Sequence, residues 1–518
     1  MSPPDLHFSL LSEKLITVGH EKKHSLPGLF AAMSRGEKIG YLALRPHQRP
    51  AWHMFCVQLA ALALWTGGRD APPEDENTWR ELLRGLTLDF PKDDPWCLVV
   101  EDRAKPAFLQ PPDPGGLEWS PVTTPDALDM LITARNHDLK QQVMQQARPE
   151  DWLFALVSLQ TMEGYNGQKN YGIARMNRGS SSRVMLSLAP QNGRTLVLDH
   201  IPWWRRDLDV LLSHRASGRG SGPCVAGGVA LLWLVSWPEG AQMNPQDLDP
   251  WFIEVCRRIR LKAGNGLSAE RAKSKAARTD ATAFNGVLGD PWAPVHRTNG
   301  TTLTLGEGRL DYRRLHALLL GGEWELPACA RPQRGEGDLL LVAEALSRGN
   351  SKTFGFQSRI VPIPGGVVQR LGAAEMKGLA DQQLKDIADC DKVLRDALVL
   401  VAANGKRDAV KKEHYALTRP ARAAFEARAD EMFFPALWEA VVANDESAAA
   451  LRAAQARFRA RLREAAIAEF EAALPAIPCA AIFRSRAEAR ARRAFFGMLN
   501  KAGFKPVSEP EEAAHDPV

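Results

Sequence analysis

Residues 163–179 read EGYNGQKNYGIARMNRG. This glycine-rich segment lies between a predicted helix and a predicted strand. Its four glycines stand at positions 164, 167, 172 and 179. Glycine permits positive φ and a close approach of the backbone to a ligand. Backbone amides and the side chains of Lys169, Arg175 and Arg178 supply donors and positive charge, so the segment favours a loop that lies against a polyanion. The alternative is a solvated surface loop, because loops normally lie at the surface.

The hydrophobic pattern predicts regular elements around this segment. Apolar residues recur at helical spacing over 49–64 and again over 148–162, so both stretches are predicted to be helices. The second helix leads directly into the glycine-rich segment and gives it a rigid support. Short apolar runs predict strands at 184–188 and 195–198, with a further buried strand at 231–237.

Length and composition indicate an ordinary globular protein. A chain of 518 residues, 45% of them hydrophobic, is long enough for two or more domains. The net charge of +5 is small for this length, so any role in binding nucleic acid depends on local clusters of charge. Seven scattered cysteines without a C-x-x-C pair predict reduced thiols in the cytoplasm, and no apolar run is long enough to predict a membrane segment.

A second basic segment runs from Arg257 to Arg278 and carries eight positive charges against one acid, Glu270. The basic residues are Arg257, Arg258, Arg260, Lys262, Arg271, Lys273, Lys275 and Arg278. Such an imbalance is the strongest indication of polyanion binding in the chain. The alternative is a solvated charged face without a partner.

The third basic segment, 348–355, follows a largely apolar run and contains Ser351-Lys352-Thr353. A phosphate-binding loop with the pattern G-x-x-x-x-G-K-[ST] would need glycine at Leu346 and at Ser351, so that motif is excluded. We interpret 348–355 as a tight basic turn between extended segments.

From Leu371 onward the composition shifts to Ala, Arg, Glu and Leu with helical periodicity, and breaks in the pattern divide it into about four helices. An acidic tail begins at Ser508. The predicted fold class is α+β, with a large mixed N-terminal domain (1–370) followed by a C-terminal four-helix bundle (371–518). The sequence contains no G-x-S-x-G and no paired-histidine motif, so we expect no catalytic residues, no metal and no cofactor.

Several motifs, in this order, resemble the large subunit of the type I-E CRISPR Cascade complex, the CasA family. They are Phe8–Ser12, Leu26-Pro27, Leu44–Arg49 with Ala51–His53, Gly164–Asn177 and Arg348–Gly355, followed by the helical C-terminal region. The resemblance implies a non-catalytic subunit that recognises the protospacer-adjacent motif in duplex DNA through the minor groove, initiates unwinding and R-loop formation, and helps recruit an effector nuclease. The implied partners are crRNA, double-stranded target DNA, the backbone, small and crRNA 5'-end-binding Cascade subunits, and a helicase-nuclease.

The same resemblance implies roles for three segments. The glycine loop is Gly164–Gly172, the lysine finger is Lys273 or Lys275, and the wedge is Asn350-Ser351-Lys352. Together with the charge pattern, the expected DNA contacts are Gly164, Asn166, Gly167, Gln168, Lys169, Asn170, Arg175, Lys273, Lys275, Arg278, Asn350, Ser351 and Lys352. The sequence departs from the family at Gln168 and Lys169, where a purely glycine loop is expected, and at Asn350, where relatives often carry glutamine.

Two other functions compete with this interpretation. One is a stand-alone nucleic-acid-binding enzyme or nuclease with an unrecognised site, and the other is a scaffold that does not touch DNA. Neighbouring genes for the other Cascade subunits and a repeat array distinguish a Cascade subunit from a stand-alone enzyme. A scaffold predicts that mutation of the basic segment leaves DNA affinity unchanged.

Overall fold

The computed structural model describes residues 7–19, 22–129, 131–133, 144, 146–193, 195–218, 222–264, 266–349 and 352–505. Its internal contacts divide the chain into two compact units. The first comprises Met1–Leu310 and Glu323–Pro362, and the second comprises Asp311–Gly322 and Ile363–Val518. No helix in the described ranges is long and apolar enough to cross a lipid bilayer.

The first unit mixes helices and short strands. Its helices are α1 (Leu26–Ser34), α2 (Arg49–Thr66), α3 (Glu76–Gly85), α4 (Pro149–Met162) and α5 (His200–Ala216). Its strands are β1 (Ile16–Val18), β2 (Lys22–His24), β3 (Trp119–Val122), β4 (Met185–Pro190), β5 (Val229–Leu231), β6 (Leu248–Ile253), β7 (Arg258–Gly264), β8 (Gly266–Ala272), β9 (Val295–His296), β10 (Thr301–Thr302), β11 (Trp324–Glu325), β12 (Leu339–Arg348) and β13 (Thr353–Ile363).

Two three-stranded sheets carry the segments of functional interest. The first has the order β13-β12-β4, and β12 and β4 pair antiparallel from Leu339 opposite Pro190. Every residue of β12, the central strand, is buried, and its one acid, Glu344, forms an ion pair with Arg49. The second sheet has the order β3-β8-β7, in which β7 and β8 form an antiparallel hairpin.

Helix α2 forms the centre of the first unit. All of its residues from Pro50 to Leu64 are buried, as expected for a helix that is apolar around most of its circumference. Trp52 meets the ring of Phe154 on α4 edge to face, with ring centroids 5.0 Å apart. The imidazole of His53 stacks on Trp203 of α5, at 3.6 Å between centroids. The first contact packs α2 against α4, which ends at the glycine-rich segment, and the second packs α2 against α5.

The predicted helices at 49–64 and 148–162 and the predicted strand at 184–188 are confirmed by α2, α4 and β4. The predicted strand at 195–198 is wrong, because this stretch forms no regular secondary structure and leaves Val197 73% exposed. The prediction for 231–237 is also corrected. Only Val229–Leu231 forms a strand, and a 3-10 turn at Leu232–Leu234 follows it.

The second unit is helical. Its helices are α6 (Tyr312–Leu319), α7 (Gly365–Val368), α8 (Ala374–Ala402), α9 (Arg419–Glu446), α10 (Ala448–Ala473) and α11 (Arg484–Lys501). The rings of Phe470 and Phe495 stack at 4.1 Å between α10 and α11. The predicted α+β class with a C-terminal region of several helices is confirmed. The acidic tail from Ser508 lies outside the described residues.

Helix α6 belongs to this helical unit although it precedes β11 to β13 in the chain. The hydroxyl of Tyr312 donates to Oε2 of Glu426 at 2.7 Å, and its ring lies 5.0 Å from that of Phe433. Residues 311–322 and 363–370, predicted to lie in the N-terminal domain, therefore lie in the helical unit. The assignment of motif recognition and DNA contact to residues 1–370 stays a prediction.

Candidate nucleic-acid interface

The ends of the glycine-rich segment are held together by backbone hydrogen bonds. Gly164 donates to the carbonyl of Ser181 at 2.9 Å, and Tyr165 donates to that of Gly179 at 2.8 Å. A Cβ at Gly164 would lie 2.3 Å from the carbonyl oxygen of Ser181, and one at Gly172 would lie 2.6 Å from Cα of Gly164. Only glycine fits at both positions. Gly164, predicted to contact DNA, is buried and instead closes the neck of the loop.

The tip of the loop, residues 166–170, projects to the surface. The amide of Asn166 donates to the carbonyl of Asn170, and that of Asn170 donates to Gly167, both at 3.0 Å. Gly167, Gln168 and Lys169 are exposed, while the two asparagines are half-buried. Gly167 and Lys169 have φ of 89° and 64°, so the tip turns sharply. The tip presents exposed polar groups and one ammonium group on a defined backbone.

The structure brings this tip into contact with the segment 273–275, which follows β8. The amide of Ser274 donates to the carbonyl of Lys169 at 3.1 Å. The hydroxyl of Tyr171 donates to the carbonyl of Lys275 at 3.0 Å. Lys273 and Lys275 are exposed. Two segments about a hundred residues apart in the chain therefore form one surface, which unites the predicted glycine loop with the predicted lysine finger.

A groove of about 740 Å³ lies along this surface. Its lining includes six basic residues, Lys169, Arg257, Arg258, Arg271, Lys273 and Lys275, and two acidic residues, Glu118 and Glu239. Within the described residues, the ammonium groups at 169, 273 and 275 form no ion pair. Unpaired ammonium groups beside a groove suit the phosphates of a nucleic acid.

The polyanion interpretation of the whole basic segment 257–278 is corrected by the structure. Arg257, Arg258, Arg260 and Arg278 are all buried. Arg257 donates to the carbonyl of Gly164 at 2.7 Å, and Arg258 donates to the carbonyl of Trp237 at the same distance. These guanidinium groups hold the surrounding backbone and are not displayed to solvent. The exposed cations of this run that line the groove are Arg271, Lys273 and Lys275.

Arg278 is 3% exposed, and its side chain bonds backbone carbonyls inside the protein. It donates to the carbonyls of Ser236 at 3.1 Å, Leu232 at 3.3 Å and Val235 at 2.8 Å. Burial lowers the pKa of Arg278 to about 10, which leaves it charged at neutral pH. Its predicted contact with DNA is therefore replaced by contacts with the turn at 232–236.

Arg175, the second predicted DNA contact that the structure buries, is 2% exposed. Its guanidinium lies 3.9 Å from the ring centroid of Phe252 and donates to the carbonyls of Pro250 and Phe252, each at 3.1 Å. Burial lowers the pKa of Arg175, and the nearby charge of Arg183 lowers it further. Arg175 anchors the end of the loop segment and does not line the groove.

A buried carboxyl group lies beneath the same end of the loop. Glu254 accepts a hydrogen bond from the amide of Ala174. Burial raises the pKa of Glu254 to about 7, against the opposing effects of that hydrogen bond and of the charges of Arg175 and Arg183. Asp290 also faces it and raises its pKa further. The foot of the loop therefore carries a carboxyl group that titrates near neutral pH.

The base of the turn 348–355 meets the loop tip. Nη2 of Arg348 donates to Oδ1 of Asn166 at 2.9 Å, and the amide of Gly349 donates to the carbonyl of Lys352 at 3.0 Å. Arg348 is 7% exposed, whereas Lys352 is exposed. Asn350 and Ser351 of the predicted wedge lie outside the described residues. The structure thus connects the base of the predicted wedge with the predicted glycine loop.

Three residues of this surface were not selected from the sequence. Tyr171 and Glu239 hold the segment 273–275, since Glu239 accepts from the amide of Lys275 at 2.6 Å. Arg271 lines the groove. The sequence pointed to Arg271, because it belongs to the basic segment 257–278. The contacts of Tyr171 and Glu239 depend on tertiary structure and are not visible in the sequence. Among the described residues, no three His, Cys, Asp or Glu side chains are grouped so that they could hold a metal ion.

Comparison with known proteins gives matches at the level of structure. No family model matches the chain, and no curated protein matches its sequence. The CRISPR-associated protein Cse1 from Acidimicrobium ferrooxidans superposes with a TM-score of 0.64 and 18% identity, over 96% of this chain and 99% of the other. Thermus thermophilus CasA (Cse1) superposes with a TM-score of 0.62 and 17% identity, over 96% of this chain and 100% of the other.

Thermobifida fusca Cse1 gives a TM-score of 0.62 with 13% identity, over 97% of this chain and 100% of the other. The matches cover both compact units and come from several organisms, in agreement with the resemblance noted from the motifs. Over nearly its whole length, the chain has the fold of the CRISPR-associated Cse1 (CasA) proteins.

Proposed function

We propose that this chain is the large subunit of a type I-E CRISPR Cascade complex and that it binds target DNA in the groove beside Lys169, Lys273 and Lys275. The observation that carries the proposal is the meeting of the exposed loop tip with the exposed lysine segment in a chain with the Cse1 fold. The subunit is cytoplasmic and does not catalyse a reaction itself.

The chemistry of the groove suits a reader of the minor groove of DNA. The minor groove presents a degenerate pattern of acceptors that mainly separates A·T from G·C pairs. The polar side chains at the tip, exposed at Gln168 and half-buried at Asn166 and Asn170, supply hydrogen-bonding groups for such coarse reading. Lys273 and Lys275 then hold the phosphates. Most sequence specificity comes from pairing of the crRNA with the target strand, so the protein reads only a short protospacer-adjacent motif.

The turn 348–355 has the second role in this proposal. Asn350-Ser351-Lys352 acts as a wedge beside the motif and starts unwinding, which leads to the R-loop. The contact of Arg348 with Asn166 supports a shared action of loop and turn, because it joins the base of one to the tip of the other. The assembled complex includes crRNA, the backbone, small and crRNA 5'-end-binding subunits, and it recruits a helicase-nuclease.

The test compares Cascade assembled with and without this chain, on duplex targets that carry either the motif or an altered motif. We expect the chain to increase affinity for the duplex with the motif much more than for the duplex with the altered motif. Equal affinity for both duplexes with the chain present would contradict motif recognition. Degradation of DNA by the purified chain alone would instead favour a stand-alone nuclease.

A further inference from the structure

Two hydrogen bonds join the loop to the lysine segment, residues 273–275, and the loop is the acceptor in one and the donor in the other. The loop accepts in one, from the amide of Ser274 to the carbonyl of Lys169, at 3.1 Å. The loop donates in the other, from the hydroxyl of Tyr171 to the carbonyl of Lys275, at 3.0 Å. The two bonds involve adjacent residues of the lysine segment, so they fix both its distance from the loop and its direction.

The loop residue that accepts is itself in an unusual conformation. Lys169 has φ of 64°, a left-handed conformation that a residue with a Cβ adopts only where its surroundings hold it. Glycine would adopt it without strain. The conformation directs the carbonyl of Lys169 toward Ser274, and the exposed side chain lines the groove.

The lysine segment is held from its other side as well. Nε of Arg258 donates to the hydroxyl of Ser274 at 3.1 Å, and Glu239 accepts from the amide of Lys275 at 2.6 Å. Arg258 is in turn held by the carbonyl of Trp237. Ser274 and Lys275 are thus held by Arg258 and Glu239 on one side and by the loop on the other.

We propose that Tyr171 is a positioning residue for nucleic-acid binding. Its hydroxyl holds the carbonyl of Lys275, and this contact keeps the ammonium groups of Lys169 and Lys275 on one groove, where both bind phosphate. The inference rests on the proposed function and adds to it a residue that touches no DNA. Without the hydroxyl, the segment samples other arrangements, and the apparent affinity falls in proportion to the fraction of molecules in the competent one.

The variant Tyr171→Phe isolates this contact, because it keeps the ring and its edge contact with Tyr165, at 6.5 Å between centroids. The matched control is Tyr165→Phe. Tyr165 lies on the same loop, is 40% exposed, and its hydroxyl forms no hydrogen bond with any described residue. Both variants remove one hydroxyl group and leave the net charge unchanged.

The experiment measures the affinity of the assembled complex for a duplex with the motif. We expect Tyr171→Phe to weaken binding about three- to tenfold, the range set by one net hydrogen bond, while Tyr165→Phe leaves it unchanged. Tyr171→Phe is then combined with Lys275→Ala. A residue that acts through Lys275 has no further effect in that background, whereas independent contributions add.

Two outcomes overturn the inference. One is equal affinity of the Tyr171→Phe and Tyr165→Phe complexes, and the other is the full loss for Tyr171→Phe in the Lys275→Ala background. If Lys273→Ala/Lys275→Ala also leaves affinity unchanged, the proposed function fails together with the inference. If the double lysine variant weakens binding but Tyr171→Phe does not, only the positioning role is lost.

Discussion

Replacement of Arg278 separates the structural role of a basic residue from a role in binding DNA. The side chain donates three hydrogen bonds to carbonyls of the turn at 232–236 and lies 5.3 Å from the ring centroid of Trp237. A hydrogen bond to a charged group contributes about 1.5–3 kcal/mol, and buried carbonyls left without a partner cost a similar amount. Because these three bonds are not additive, Arg278→Ala is expected to lower the free energy of unfolding by about 3 kcal/mol.

The assay combines urea unfolding of the chain with the salt dependence of DNA binding by the assembled complex. Arg278→Ala is expected to lower the urea midpoint and to leave the slope of log affinity against log salt unchanged. Arg278→Lys keeps the charge, but a single ammonium group does not reproduce the fork that spans three carbonyls, so we expect it to be destabilised as well. The interpretation is refuted if Arg278→Lys has wild-type stability while Arg278→Ala loses about one unit of salt slope.

Three further predictions concern other parts of the chain. The pKa of Glu254 is raised from 4.5 to about 7. Between these two pH values, Glu254 is protonated in the folded state and ionised in the unfolded chain. Its contribution to the free energy of unfolding is therefore expected to fall by at most about 3 kcal/mol as pH rises from 4.5 to 7, and to stay low above pH 7. Glu254→Gln should remove this pH dependence in urea titrations at pH 5 and pH 8. If the variant keeps the wild-type difference in the free energy of unfolding between the two pH values, the prediction is contradicted. Tyr312→Ala should destabilise the helical unit by about 3–5 kcal/mol, because it removes a buried ring and the bond to Glu426; an unchanged thermal unfolding profile would count against the packing of α6 in that unit. Deletion of residues 350–352 should impair binding to duplex targets far more than to targets already melted beside the motif, and equal losses on the two substrates would exclude a wedge.

The elements around the loop were predictable because they depend on local patterns. The apolar spacing of α2 and α4 and the turn that ends β4 are visible within a dozen residues. The stretch 195–198 shows the limit of such patterns. Its apolar residues suggest a strand, but a strand forms only where a partner strand is available, and none pairs with these described residues.

The candidate site was predictable in part. The glycines, Lys169 and the lysines at 273 and 275 carried signals in composition and charge, and the structure places them on one surface. The same charge signal failed for Arg175 and Arg278. A sequence does not distinguish an arginine in solvent from one that donates to buried carbonyls, because those carbonyls belong to residues about forty or more positions away.

The central claim is that the groove beside the loop tip binds the phosphates of target DNA, and its most direct test is the salt dependence of affinity in the assembled complex. The variant Lys273→Ala/Lys275→Ala is compared with Lys23→Ala/Lys92→Ala, which removes the same charge from two exposed positions outside the groove. We expect weaker binding and a slope of log affinity against log salt that is smaller by roughly two units for the first variant only, since each lost phosphate contact removes about 0.9 units. Equal slopes for wild type and both variants would contradict it.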